Sequence, residues 1–151
     1  MTEATQSTAR ICILPRLQGV GGPVSFRARL TAGLTARGVT LVDDPRDPTL
    51  DALLMIGGTS RIADLLAAKR NGARIVQRLN GMNWIHRKRY TGWKHYLKSE
   101  WNNLLLTQIR GRIANHIVYQ SQFARTWWQT VHGSTRANHE VIYNGVDLIR
   151  F

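Results

Sequence analysis

Short apolar runs alternate with stretches of helical periodicity along most of this chain, and that alternation constrains the fold more than any other feature. Ile11-Cys12-Ile13-Leu14-Pro15 reads as a buried strand. From Ser25, the residues Phe26, Leu30 and Leu34 recur at helical spacing, with Arg27, Arg29 and Arg37 on other faces and Gly38 as the stop. Residues 39–42 form a second predicted strand, cut off by Asp43-Asp44-Pro45, and residues 52–56 a third, ending in Gly57-Gly58. Thr59 or Ser60 can cap a helix with Ile62, Leu65 and Leu66 on its inner face, closed near Asn71-Gly72. Residues 74–79 read as a fourth strand and 116–120 as a fifth. A helix carrying Phe123, Trp127 and Val131 at i, i+4 and i+8 follows. The expected class is α/β, a Rossmann-like parallel sheet with helices on both faces.

A chain of 151 residues suits one domain. It is long enough to bury a core without a disulfide, and its single cysteine excludes an internal disulfide framework. Apolar content of 43% with 20% charged residues excludes collagen-like and fully disordered chains. No apolar run reaches the length of a membrane-spanning helix, and the polar start carries no secretory pattern, so a cytoplasmic setting is expected.

The net charge of +12 is concentrated. Residues 61–125 hold thirteen basic groups against Asp64 and Glu100, whereas residues 1–60 hold six against five. Such a segment attracts phosphate in nucleic acid, an anionic membrane surface or a substrate, or it is a solvated basic face. The stretch between the fourth and fifth strands is also longer than one crossover helix requires. Within it, Trp93, Leu97, Trp101, Leu105 and Ile109 form an i, i+4 stripe expected to pack on the core, with Lys94, Lys98 and Arg110 off it. Upstream lies Trp84-Ile85-His86-Arg87-Lys88-Arg89-Tyr90. Its Arg87, Lys88 and Arg89 are candidates for acceptor recognition or contact with an anionic membrane. His86, a lone histidine in a basic run, is given no catalytic role.

Gly19-Val20-Gly21-Gly22-Pro23 follows the first strand and opens the first helix. Glycine lets backbone N–H groups approach a phosphate, and a helix start adds partial positive charge. Asp43 and Asp44 stand where a dinucleotide site would place a ribose-binding acid. The spacing does not fit that reading: the third glycine position is Val24, and Arg16-Leu17-Gln18 makes the turn long. A flexible strand-to-helix turn is the other alternative.

The segment Leu17-Gln18-Gly19-Val20-Gly21-Gly22-Pro23-Val24-Ser25-Phe26 resembles the opening of a GT-B glycosyltransferase of family 4. Val141-Ile142-Tyr143-Asn144-Gly145-Val146-Asp147-Leu148-Ile149-Arg150-Phe151 is similar to the segment that ends that family's amino-terminal domain. His116-Ile117-Val118-Tyr119-Gln120-Ser121-Gln122-Phe123-Ala124 resembles its last strand and following helix.

The resemblance implies the amino-terminal half of a GT-B fold. Residues 1–10 would be a disordered tail, 11–143 the domain, and 144–151 the start of an interdomain linker, with the second domain absent. It implies the acceptor-side domain of a retaining transferase that moves sugar from a nucleotide-sugar to an acceptor hydroxyl, incomplete alone. Gly19, Gly21, Gly22 and Pro23 would form the substrate and phosphate loop. Asn80, Gly81, Arg87, Lys88 and Arg89 would lie on the acceptor side, and Asn144 and Gly145 at the interdomain turn.

Where family members often carry a histidine or an acid, this chain has Asn80, which cannot act as a base, so no catalytic residue is assigned. The family's Glu-x7-Glu pair is missing, because the glutamates are Glu3, Glu100 and Glu140. No metal or other cofactor is expected, and Cys12, His116, His132 and His139 show no ligand spacing. The expected partners are a nucleotide-sugar, a carbohydrate or lipid-linked acceptor, a donor-binding domain in cis or in trans, and the inner face of an anionic membrane. Nucleic acid is not expected. Two other functions stay open: a stand-alone basic module for anionic lipid or nucleic acid, and a nicotinamide-dependent oxidoreductase.

Overall fold

The computed structural model describes residues 8–16, 19, 21–82 and 92–145. The chain runs β1 (Arg10–Leu14), α1 (Gly22–Thr35), β2 (Thr40–Leu41), β3 (Ala52–Ile56), α2 (Ile62–Arg70) and β4 (Arg74–Leu79). It continues as α3 (Trp93–Gln108) leading into a π-helical turn (Ile109–Ile113), then β5 (His116–Tyr119), α4 (Gln122–His132) and β6 (Asn138–Val141). All pairings are parallel, in the order β2-β1-β3-β4-β5-β6. This is the expected Rossmann-like α/β fold. Ile11 sits opposite Leu41 on one side and Ala52 on the other, so the chain leaves β1 in one direction and returns past it in the other. Right-handed crossovers then put α1 on one face and α2, α3 and α4 on the opposite face. Ligands bind outside the strand ends at such a reversal, here beside the loops after β1 and β3.

Two apolar clusters hold the layers together. Leu53, Met55 and Ile75 of the sheet pack with Leu65 and Ala68 of α2 and with Ile109. Leu79, Ile117 and Tyr119 pack with Trp128 of α4. Ile75, Gln77, Leu79, Ile117 and Tyr119 are buried under the helices of one face, whereas Val76 and Val118 on the other face are only partly buried.

The structure corrects several expectations. A sixth strand, Asn138–Val141, lies beyond β5, so the segment beginning at His116 is not the last strand. Arg61, not Thr59 or Ser60, stands at the α2 N-cap, and Thr59 Oγ1 accepts from the Arg61 amide instead. Leu66 is exposed, while Asp64 is buried between Arg46 and Arg61. In α4 the stripe is displaced: Ala124 and Trp128 are buried, whereas Phe123 and Val131 face solvent.

The largest correction concerns α3. Trp93, Leu97 and Trp101 are 64%, 58% and 59% exposed, while Ser99 and Asn103 are buried. Each i, i+4 step advances ~40° around a helix of ~3.6 residues per turn, so the stripe rotates through about 160° from Trp93 to Ile109. Its ends cannot share a face. Ile109 enters the core, and Arg110 is fixed beside it: Nε donates to the Tyr119 hydroxyl (3.0 Å) and Nη2 to the Gly133 carbonyl (2.7 Å). With that end anchored, the amino-terminal part of the stripe points outward.

Candidate functional site

The loop after β1 reaches α1 through Gly21, whose φ of 142° is open only to glycine. Gly22 and Pro23 are the first helical residues. Proline fits there because its fixed φ suits the helix and its missing N–H has no partner to lose. Gly19, Gly21, Gly22 and Pro23 are all exposed. The start of α1 thus presents unpaired backbone N–H groups at the mouth of the crevice, with no acid in its first turn.

Alternation along β4 sends Gln77 and Leu79 to one face of the sheet and Arg78 to the other. Arg78 is only 4% exposed. Its guanidinium carbon lies 3.7 Å from the centre of the Phe26 ring of α1. Nη1 donates to Asn80 Oδ1 (2.8 Å), and Nη2 donates to Asn144 Oδ1 (2.5 Å) and Gln120 Oε1 (3.4 Å). Among the described residues its partners are therefore three amide oxygens and an aromatic ring, all neutral. Burial lowers its pKa, which reflects the cost of holding the charge out of water. An arginine remains protonated even so, and its charge is available to an anion in the crevice.

On the opposite face, a cavity of about 390 Å³ opens between the ends of β3 and β4 and the outer side of α3. Gly57, Gly58, Asn80, Gly81, Trp101 and Trp128 are among its walls. Gln77 fixes the β3 exit, donating from Nε2 to the Gly57 carbonyl (3.1 Å) and the Leu106 carbonyl (3.3 Å). Trp128 Nε1 donates to the Asn80 carbonyl (2.7 Å). Because Arg78 can only donate, Asn80 turns its side-chain oxygen toward it and keeps Nδ2 as a donor. A second cavity, about 640 Å³, runs along α1 beside Phe26, Leu30 and Leu34 and ends at Asn144 and Gly145.

The structure thus brings the glycine loop and the Asn144-Gly145 turn to one crevice, joined through Phe26 and Arg78. Asn80 and Gly81 stand at the neighbouring cavity. Arg87, Lys88 and Arg89 lie outside the described residues, as do residues 1–7 and 146–151. Asp43 is paired with Arg16 (3.3 Å), and Asp44 accepts from the Arg46 amide. Among the described residues no group of three histidine, cysteine or acidic side chains could hold a metal ion, and no helix is long and apolar enough to cross a membrane.

The sequence profile of Glycosyltransferase Family 4 matches residues 57–150. The chain belongs to glycosyltransferase family 4. No curated protein and no solved structure matches it. The matched span contains the β3 and β4 exits, α3 and the Asn144-Gly145 turn, whereas the Gly19–Pro23 loop lies upstream of it. Within this glycosyltransferase domain, sequence reasoning passed over Gly57, Gly58, Gln77, Arg78 and Trp101 as site residues. Arg78 carried a legible signal: a charged residue inside an apolar run of a parallel sheet, one position before the strand end.

Proposed function

We propose that this chain is the acceptor-side domain of a retaining glycosyltransferase that moves a sugar from a nucleotide-sugar to an acceptor hydroxyl. A carboxy-terminal domain, in cis or in trans, would hold the donor. The observation that carries this reading is the buried Arg78 guanidinium at the end of β4, stacked on Phe26 of α1, whose partners among the described residues are all neutral. Glycosyl transfer develops negative charge on the leaving diphosphate, and preorganised donors in a closed site stabilise it. In this reading the Arg78 charge and the α1 amides supply that field from the acceptor side, without a metal ion. Asn80 Nδ2 orients the acceptor. Closure of the two domains excludes water and brings the hydroxyl to the anomeric carbon.

The test is a donor panel on the full-length gene product. Release of nucleoside diphosphate and the anomeric configuration of the product would be followed by NMR. Release coupled to a product that keeps the donor's configuration is expected. No turnover with any nucleotide-sugar, with acceptor extracts present, removes the transferase reading, and an inverted product removes retention.

Peripheral contact with an anionic membrane from the cytoplasmic side is a second element of the proposal. The outward face of α3 supports it: Trp93, Tyr96, Leu97 and Leu104 are exposed next to Lys94 and Lys98. Aromatic and basic side chains together suit the headgroup region of a bilayer.

A further inference from the structure

Resting on the transferase reading, we infer that the cavity between the β3 and β4 exits and α3 is a subsite for an uncharged pyranose unit of the acceptor, with Trp101 as its stacking platform. The chemistry of the walls selects this ligand. In a chain with 21 lysines and arginines, none of the described residues lining this cavity is ionisable. They are indoles, leucines, primary amides, hydroxyls and glycine backbone.

A bound phosphate or carboxylate would need a desolvated cation. Among the described residues the nearby one, Arg78, projects from the other face of the sheet and spends its Nη atoms on Asn80, Gln120 and Asn144. An ammonium group would need a carboxylate, and Asp64, the buried acid of α2, is engaged by Arg46 and Arg61.

What remains suits a sugar ring. A pyranose has an apolar C–H face and a rim of hydroxyls. The Trp101 indole, 59% exposed and on the cavity wall, offers a large flat apolar surface that nothing in the described structure covers. Asn80, on the cavity wall, is held in place because Arg78 binds its side-chain oxygen and Trp128 its carbonyl. Asn102, Thr59 and Ser60 add donors and acceptors on the rim. A volume of about 390 Å³ falls within the ~300–1,000 Å³ of small-ligand sites.

The experiment is saturation-transfer NMR on the full chain with methyl glycosides of common hexoses and with the corresponding hexose 6-phosphates, each up to ~10 mM, a range that reaches weak monosaccharide affinities. At least one neutral methyl glycoside should bind, and no phosphorylated counterpart should bind more tightly. Trp101→Ala should weaken that binding by roughly tenfold, Trp101→Phe should retain most of it, and Trp93→Ala should leave it unchanged. Trp101 is exposed on a helix surface, so loss of the fold does not confuse the result.

Absence of neutral-glycoside binding, indifference to Trp101→Ala, or a tenfold preference for the phosphorylated sugar overturns the inference. Donor turnover by the full-length product separates the two proposals. Turnover alongside a phosphosugar preference leaves the transferase reading standing without this subsite. Trp101-dependent glycoside binding with no turnover does the reverse.

Discussion

Arg78 Nη2 donates to Asn144 Oδ1 across 2.5 Å, linking positions 66 apart, the end of β4 and the turn that follows β6. The same guanidinium holds Asn80 through Nη1 and stacks on Phe26. One buried cation therefore ties together the end of β4, the first helix and the turn after β6. Among the described residues its partners are all neutral: they fix its position and leave its charge uncancelled.

Replacing Arg78 with methionine keeps much of the bulk and removes both the charge and the fork. In the full-length enzyme we expect transfer to fall by at least about tenfold, in line with the loss of one preorganised charged donor. Asn144 is exposed and can turn to water, so the thermal midpoint should drop by no more than ~5 °C. Arg78→Lys keeps the charge but cannot bridge Asn80 and Asn144 at once, and should fall between the two. Steady-state kinetics beside thermal melts decide the matter. A wild-type rate in Arg78→Met takes Arg78 out of the site.

The β3 exit is tight at one point. A Cβ added to Gly58 would stand 2.9 Å from Leu106 Cδ2 and 3.3 Å from its Cγ. Leu106 packs against the Leu79, Tyr119 and Trp128 cluster, so it can yield only by disturbing that cluster. Gly58→Ala should cost about 1–3 kcal/mol by overpacking. Gly58→Ala with Leu106→Ala should cost less than the sum of the two single changes, with a coupling of at least ~0.5 kcal/mol. Additive denaturant-unfolding energies would show that no steric conflict exists.

Adjacent glycines in the loop after β1 should behave differently. Gly21 has a φ of 142°, so Gly21→Ala strains the backbone by about 1–3 kcal/mol although nothing lies near the new methyl group. Gly22 has ordinary helical geometry and open space around it, so Gly22→Ala should be neutral or stabilising by up to ~1 kcal/mol. Gly22→Trp should fold normally but obstruct the crevice and lower transfer. Unfolding curves and rates for the three variants test this, and an unchanged rate in Gly22→Trp removes Gly22 from the site.

Much of the architecture was legible because parallel strands buried on both faces must be apolar throughout. Residues 11–14 and 52–56 are such runs, 117–119 is a shorter one, and 74–79 keeps Ile75, Val76 and Leu79 around the polar Gln77 and Arg78; glycine at 38 and 72 closes the preceding helices as expected. The edge strand Asn138–Val141 escaped notice because it has one neighbour and polar alternation. Periodicity located the α3 stripe but not its direction. An i, i+4 repeat sustained over four steps drifts around the helix, and the anchoring of Ile109 and Arg110 decides which end of it turns inward. The strand-to-helix turn was legible at Gly21, whose φ of 142° only glycine adopts readily. At Arg78 the sequence marks only a charge near a strand end, and at Trp101 nothing, because the partners of both come from neighbours far away in sequence.

Asp64 gives a pH-dependent handle on stability. A hydrogen bond from Arg46 is the largest influence lowering its pKa. Desolvation opposes it, and Arg61 adds to it. The folded state therefore releases this proton at lower pH than the unfolded chain, and the stabilisation is present above the ordinary aspartate value of about 4. It is lost as pH falls through the lower folded value. Asp64→Asn should reduce the thermal midpoint at pH 7, and the gap to wild type should close at the acid end. A gap that stays constant from pH 7 to the acid limit would mean that the ionised carboxylate contributes nothing.

The outward face of α3 makes the membrane proposal measurable. Trp93 and Leu97 project from the surface beside Lys94 and Lys98, and Arg87, Lys88 and Arg89 precede the helix in sequence. Apolar insertion and attraction to anionic headgroups should add, each weakened by a different substitution. With vesicles containing phosphatidylglycerol, Trp93→Ser with Leu97→Ser should lower partitioning by at least about tenfold, since each removes an exposed apolar side chain that would insert into the bilayer. Reversing Arg87, Lys88 and Arg89 to glutamate should lower it further and flatten its salt dependence. Neutral phosphatidylcholine vesicles should bind weakly throughout. Equal partitioning by all variants would assign the exposed stripe to another occupant. Salt-sensitive binding to duplex DNA as tight as to the anionic vesicles would instead favour a general polyanion-binding module.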